Sequence, residues 1–421
     1  MTTSITKPIM LNETGEKIVE GLARQNLLLS QLVAASADAF PIARLNEIAE
    51  IVRRGEAPNV FSVGDQILVN WNNGTSNFVL PFDIVHFDDV MLQDGETVPG
   101  MYIQSHYALE GIQFDQNEGF YVVPAGGLSA GTYHFKMGNS WGSNVVADKS
   151  YEFTLAESYA EGDILQLGTA TSEVSGLPDT APANWRVRTY KASGSTPAGL
   201  AASATEIVTL AEGTGGTDLG TLSSSTKYGT SGLNNMQRSG YGYNRWSQSA
   251  IRQWMNSDAA AGSWWTPQNP YDRKPDQLSS YRGMKAGFDE AFLNILKPVK
   301  VTTALNTVSD DQIGTSEDTY DMFFLASLEQ EYVSPQKPGV EGAYWEYWKR
   351  RLGLTNPQPT GQAFPAHIRY GYNAKTSPQY CRLRSANVGH AHSPWNIFSS
   401  GGAGTTYSTL AHRAVPACVI C

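Results

Sequence analysis

Cysteine is nearly absent from this chain of 421 residues, and the three present, Cys381, Cys418 and Cys421, all fall in the last segment. Three thiols gathered at one end imply no disulfide framework and leave the redox compartment open. Charge is sparse too, at 17% of residues, and its balance is negative, with a formal net charge of -10. Binding to a phosphate backbone needs clustered Lys and Arg, so no nucleic-acid partner is expected. No apolar run reaches the roughly 20 residues of a membrane helix, so no membrane insertion is expected. The opening Met1-Thr2-Thr3-Ser4 lacks a charged region followed by an apolar run, which argues against a secretory signal. One absence is local. From Tyr380 to Cys421 there is no Lys, Glu, Gln, Met or Asp, although the rest of the chain uses all five.

Glycine (40) and tyrosine (20) are plentiful, which suggests a loop-rich, aromatic-rich surface. The length suits two or three domains, each able to bury a core. Within a first segment, 1–58, Ile18, Leu22, Leu29 and Leu32 fit an a/d helical seam interrupted by Gln25. That helix either packs on its own domain or serves docking and trimerisation. A second helix has Ile42, Leu45, Ile48, Ala49 and Val52 at helical spacing and stops at Gly55, near Pro58.

From residue 59 the pattern turns to strands. The runs 61–69 and 78–85 flank Asn72-Asn73-Gly74, a hairpin signal, and short strands are expected near 119–123, 131–137 and 150–155. Residues 59–165 therefore read as an antiparallel β-sandwich or jelly roll. His86 with Asp88 and Asp89 matches no established ligand spacing and reads as a strand end leading into a turn. Residues 166–234, rich in Ser, Thr, Gly and Ala, read as a linker with surface loops.

The last region, 235–421, mixes helix and strand. Ser247 to Met255 opens with a capping serine and places Ile251, Trp254 and Met255 on one face. A helix over 289–296 halts at Pro298, and strands are expected at 299–303 and 322–328. The aromatic stretch Tyr344-Trp345-Glu346-Tyr347-Trp348 reads as loop. The whole is a multidomain α+β protein. Near its end, His390, His392, Ser393, Phe398, Thr405, Thr406, Tyr407, Ser408, Thr409, Leu410 and His412 lie scattered among Gly and Ala with no steady apolar period. Such a segment reads as a display surface held by a rigid frame.

No catalytic constellation stands out. Cys418-x-x-Cys421 lacks both a βαβ context and a second ligand pair, so Cys418 reads as a small buried hydrophobe. Gly213-Thr214-Gly215-Gly216 lacks the Lys-Ser/Thr of a phosphate loop. His390 and His392 share a strand face, with His412 as a candidate third, but recognition outweighs metal binding because no carboxylate lies nearby in sequence. Asp310-Asp311, Glu317-Asp318 and Asp321 form an acidic loop in which a structural Ca²⁺ is the alternative to plain solvation. No other cofactor is expected.

A distinctive combination runs through 235–421: the capped helix ending Arg252-Gln253-Trp254-Met255-Asn256, the helix over 288–296 and Phe323-Phe324-Leu325-Ala326-Ser327-Leu328. The Leu383-Arg384-Ser385 strand and Arg413-Ala414-Val415-Pro416-Ala417 complete it. It resembles the C-type-lectin-like fold in its formylglycine-generating-enzyme variant, found in phage tropism determinants and other variable proteins of diversity-generating retroelements. Leu11-Asn12-Glu13-Thr14-Gly15 and Phe82-Asp83-Ile84-Val85-His86-Phe87 are similar, more loosely, to the N-terminal half of gut-phage structural proteins. Such retroelements mutate adenines, favouring the codon AAC. Substituting its first two bases cannot reach Lys, Glu, Gln, Met or Trp. The resemblance therefore implies a diversified set comprising His390, Ser393, Phe398, Thr405 to Leu410 and, upstream, Arg369, Tyr370 and Tyr372. Trp395 would be frame. Asp is reachable, so its absence needs another cause.

The catalytic cysteine pair of formylglycine-generating enzymes has no match here, and neither Glu-Pro-Asn nor Gln-Pro-Asp of calcium-dependent lectins occurs. The resemblance implies a non-enzymatic receptor-binding protein of a phage particle, at a tail or head fibre tip, assembled in the host cytoplasm. Its partners would be a host cell-surface protein or glycan and, through the N-terminal region, other virion proteins, as a homotrimer. A capsid or tail decoration protein and, more remotely, a formylglycine-generating-type enzyme are the alternatives.

Overall fold

The turn Asn72-Asn73-Gly74 starts the first hairpin. The Asn72 and Asn73 carboxamides accept from the Gly74, Thr75 and Ser76 amides, and Gly74 sits at φ +102°, where a Cβ would be strained. The hairpin belongs to a computed structural model that describes residues 42–139, 147–169, 185–192, 203–310 and 313–421. The expected seam over residues 13–35 lies outside the described residues.

The hairpin strands are Gln66–Asn72 and Asn77–Met91. The first alternates as expected of a half-buried strand, turning Ile67, Val69 and Trp71 inward. The second carries a bulge between Ile84 and His86, which lets consecutive Ile84 and Val85 both reach the interior. His86 thus lies within a long strand and does not end one. Thr97–Ser105 pairs next, then Pro416–Ile420 from the far end of the sequence, then Phe324–Leu325, all antiparallel. A second sheet runs Ala403–Thr405, Pro394–Ile397, Cys381–Ala386, Ala411–Arg413, Gly111–Gln113.

These sheets share one hydrophobic core with several helices, the three longest among the described residues of that core being the following. Ile42–Arg53 buries Leu45, Ile48, Ala49 and Val52, as its spacing predicts, and the chain turns out of it at Gly55, φ +73°. Ala250–Asn256 is capped by Ser249 Oγ, which accepts from Arg252 N, and buries Ile251, Trp254 and Met255. Glu346–Leu352 contains Tyr347 and Trp348, so part of the expected aromatic loop is helix, with Trp345 at its N-cap and Gly353 in the left-handed C-cap. The expected 289–296 helix shrinks to the single turn Glu290–Leu293, and the 322–328 strand to Phe324–Leu325.

A second core lies within residues 120–236. One of its sheets runs Ala211–Glu212, Ser150–Leu155, Gly131–Met137, Thr217–Leu222; the other runs Glu206–Thr209, Trp185–Tyr190, Ile164–Thr169, Tyr121–Val122, Gly232–Leu233. Phe135 and Phe153 from the first and Leu165, Trp185 and Val187 from the second fill the space between, a two-sheet sandwich.

The molecule is thus α+β and rich in strand, but its cores do not follow the expected divisions. The expected sandwich at 59–165 starts instead near Phe120, and the hairpins before it pair with the C-terminal strand. The expected linker at 166–234 supplies strands to the sandwich, one of them parallel to its neighbour. Long-range pairing, which leaves no local sequence period, decides both points. Among the described residues no helix is long and apolar enough to cross a membrane.

Candidate ligand-display surface

The second sheet supports two irregular loops, 387–393 and 406–410. Neither loop forms a ladder of its own, so its backbone groups need other partners. Asn244, fully buried, donates through one amide nitrogen to the carbonyls of His390 (2.6 Å), Asn387 (3.2 Å) and Ser393 (3.3 Å). Gln237 Oε1 accepts from Ala391 N at 2.8 Å. Arg382 does the same work under the other loop. Its Nη2 donates to the carbonyls of Tyr407 (2.6 Å) and Leu410 (2.7 Å), and its Nη1 to Thr406 Oγ1 and Asn396 Oδ1, both at 2.8 Å. These Arg382 bonds all end on neutral oxygens, and burial pulls its pKa down to about 9.

Above this frame the side chains form two aromatic groups. Tyr407, 43% exposed, stacks on Tyr241 with ring centroids 4.0 Å apart. His392 lies against both, at 5.2 Å from Tyr241 and 5.4 Å from Tyr407, and exposed His390 stacks on His392 at 5.3 Å. The second group centres on exposed Tyr380, with Phe398 at 5.3 Å and His412 at 5.1 Å. Phe398 reaches it because residue 404 is glycine; a Cβ there would come within 2.4 Å of the ring. Leu410, 42% exposed, stands on the same turn as Tyr407. Burial and the charge of neighbouring His390 push His392 down to about 3; burial and Arg382 do the same for His412. Both are neutral imidazoles at ordinary pH.

The expected display set divides on this geometry. His390, Tyr407, Leu410 and Tyr370 are exposed, and Phe398, Thr405, Thr406 and His412 are half-buried. Tyr370 sits apart, on the hairpin of Arg369–Gly371 and Ala374–Gln379. The rest are frame. Tyr372 is only 4% exposed; its hydroxyl donates to Glu110 and accepts from Asn73, and its ring packs edge-on against Trp71 and Phe78. Arg369 is buried against Trp348, donates to Gln104 and the His106 carbonyl, and faces Asp83 at 3.6 Å. Ser408 is closed in, with Oγ bonded to the His392 carbonyl, and its own carbonyl accepts from Phe114 N and Asp115 N. His392, Ser393 and Thr409 are likewise buried. Trp395 and Leu383 are buried, in keeping with frame positions. Sequence reasoning missed Tyr241 and Tyr380 as contributors, and Asn244 as a support. For Tyr241 and Asn244 the signal is the aromatic-glycine run Gly240-Tyr241-Gly242-Tyr243-Asn244.

The acidic stretch at 310–321 does not converge on a shared centre. Asp310 accepts from Tyr243 and Asn306, Glu317 pairs with Arg245 (2.7 Å), Asp318 with Lys300 (2.8 Å) and Asp321 with Arg252 (2.7 Å). The described carboxylates of this stretch thus give the expected alternative of Ca²⁺ no shared centre; Asp311 lies outside the described residues. All three thiols are free and buried. Burial pushes Cys381 up to about 12 and Cys418 well above its ordinary value, so neither offers a thiolate near neutrality.

A family model described as a domain of unknown function (DUF6273) matches residues 221–420. No curated protein and no solved structure matches the chain. The matched span holds both loops, 387–393 and 406–410, and the Pro416–Ile420 strand, but not the Gln66–Gln113 strands that complete their sheets.

Proposed function

We propose that this chain is a receptor-binding protein of a phage particle, and that its C-terminal unit is a C-type-lectin-like ligand-display domain. Supporting the fold are the sequence combination described above and the mixture of short helices, short strands and long irregular segments around one core. The observation that carries the function is the division of labour at 380–413: buried Arg382 and Asn244 hold loop carbonyls from beneath, while Tyr407, His390, Tyr380 and Leu410 face outward. Tyrosine supplies broad, rigid contact at low entropic cost. Several weak sites on one particle would add up through multivalency. The ligand would be a host cell-surface protein or glycan.

Adsorption of labelled protein to candidate host cells tests this reading. Replacing Tyr407, His390 and Leu410 together by Ser should abolish adsorption while circular dichroism stays unchanged. Adsorption equal to the parent would reject this face as the recognition surface. A reverse transcriptase gene and a near-identical template repeat beside the gene would support diversification of the same segment.

A further inference from the structure

Where the chain enters and leaves the sandwich, three buried carboxylates meet. Asp115, Glu118 and Asp272 each offer an oxygen, and these atoms lie within 4.8 Å of one another. Glu118 is saturated. Its two oxygens accept from Arg238 Nε (2.7 Å) and Nη2 (2.9 Å), Asn234 Nδ2 (2.7 Å) and Asn269 Nδ2 (3.0 Å). The aspartates are only half satisfied. Asp115 Oδ2 accepts from Tyr243 N and Asp272 Oδ2 from Gln268 N, but both Oδ1 atoms are buried without a hydrogen-bond partner. Asn117, between Asp115 and Glu118, also has a buried carbonyl oxygen without one.

Buried acceptors normally find donors, and leaving an anionic one bare is expensive. The guanidinium beside them, Arg238, is bidentate to Glu118 and lies over the Tyr243 ring at 3.7 Å; its remaining Nη1 has no hydrogen-bond partner. One such cation cannot balance three carboxylates.

We propose that Asp115 Oδ1 and Asp272 Oδ1 are ligands of one hard divalent cation of the Ca²⁺ class, with Asn117 Oδ1 as a candidate third and solvent oxygens completing the shell. An all-oxygen donor set with two carboxylates and no sulfur or imidazole selects such an ion. The ion would join the 268–272 segment to the strand-to-sandwich crossing. It would also steady the display loop, since Asp115 N donates to the Ser408 carbonyl. The site stands independently of the ligand-display reading.

The test uses the full chain, stripped with EDTA and then dialysed with or without CaCl₂. About one Ca²⁺ per chain by mass spectrometry and a melting temperature several degrees higher in Ca²⁺ are expected. Terbium should show luminescence sensitised by nearby tyrosines and be displaced by Ca²⁺. Asp115→Asn and Asp272→Asn should each weaken Ca²⁺ binding at least tenfold, whereas Asp318→Asn, in the separate acidic stretch, should not. Should an aspartate variant fail to fold, the wild-type stoichiometry and terbium displacement decide. Absence of bound Ca²⁺, equal melting with EDTA and with Ca²⁺, or undiminished binding by both aspartate variants would overturn the proposal. The site would then hold protons or a water between Arg238 and the aspartates.

Discussion

Arg382 and Tyr407 meet across the floor of the display loop: Nη2 of the arginine donates to the tyrosine's main-chain carbonyl at 2.6 Å, while the tyrosine's side chain is 43% exposed. The contact lets the backbone of residue 407 be fixed independently of what its side chain is. A charged donor to a neutral carbonyl is worth more than an ordinary hydrogen bond, and here two donor nitrogens serve five oxygens.

Arg382→Met should therefore cost about 2–4 kcal/mol, because it leaves several buried acceptors bare. Urea unfolding measures this. A loss under about 1 kcal/mol would mean that the loop holds itself.

Exchange of the exposed side chains should be far cheaper. His390→Ser and Leu410→Ser should each change stability by no more than about 0.5 kcal/mol. Tyr407→Ser should lose about 0.5–1.5 kcal/mol through its stacking on Tyr241. Leu383→Ala, in the buried strand beneath, should lose about 2–5 kcal/mol. If the exposed and buried changes cost the same, the loops are core and not display.

Tyr372→Phe is the sharpest check on the corrected assignment. Removing the hydroxyl deprives Glu110 and Asn73 of a shared partner and should cost about 1–2 kcal/mol without touching ligand binding. Loss of binding with unchanged stability would return Tyr372 to the recognition surface.

These tests separate what could be read along the chain from what could not. The helix Ile42–Arg53, the Asn-Gly hairpin and the Ser249 cap are local devices, and their residues announce them. The pairing of Met101 with Ile420 spans most of the sequence and has no local signature. Ser/Thr/Gly-rich strands such as Thr217–Leu222, largely exposed, imitate loops because pairing with a distant strand, not a buried face of their own, makes them strands. At the proposed display surface, residue type pointed to a segment of the chain but not to the direction of each side chain. Tyr370 and Tyr372 are alike in sequence context, yet one is exposed and the other is locked between Trp71 and Phe78.

Acid should weaken the fold through its histidines. His392 and His412 have folded pKa values pushed down to about 3, against about 6.5 in an unfolded chain. The unfolded state therefore takes up protons first, and stability present above pH ~6.5 is lost progressively toward pH ~3. Burial lowers His86 and His367 in the same sense. Melting temperature should fall between pH 6.5 and 5, before most carboxylates titrate, and His392→Phe with His412→Phe should flatten that slope. An unchanged slope would place the acid sensitivity elsewhere.

A fragment limited to residues 221–420 should fail to fold. It lacks Thr97–Ser105 and Gly111–Gln113, leaving one edge of both Pro416–Ile420 and Ala411–Arg413 unpaired. Dispersed amide signals from that fragment alone would show that the early strands are dispensable.

The closure of the first sheet by Pro416–Ile420 also sets an order of events during synthesis. The sandwich is continuous in sequence and can form once residue 236 has left the ribosome. The Thr97–Ser105 edge must wait for a partner that emerges 311 residues later, 416 minus 105. At cellular elongation rates that is a delay of roughly 15–60 s. Throughout it, a strand bearing Met101 and Ile103 faces solvent along one unpaired edge, a span in which nascent chains on one polysome can adhere to each other or be held apart by chaperones.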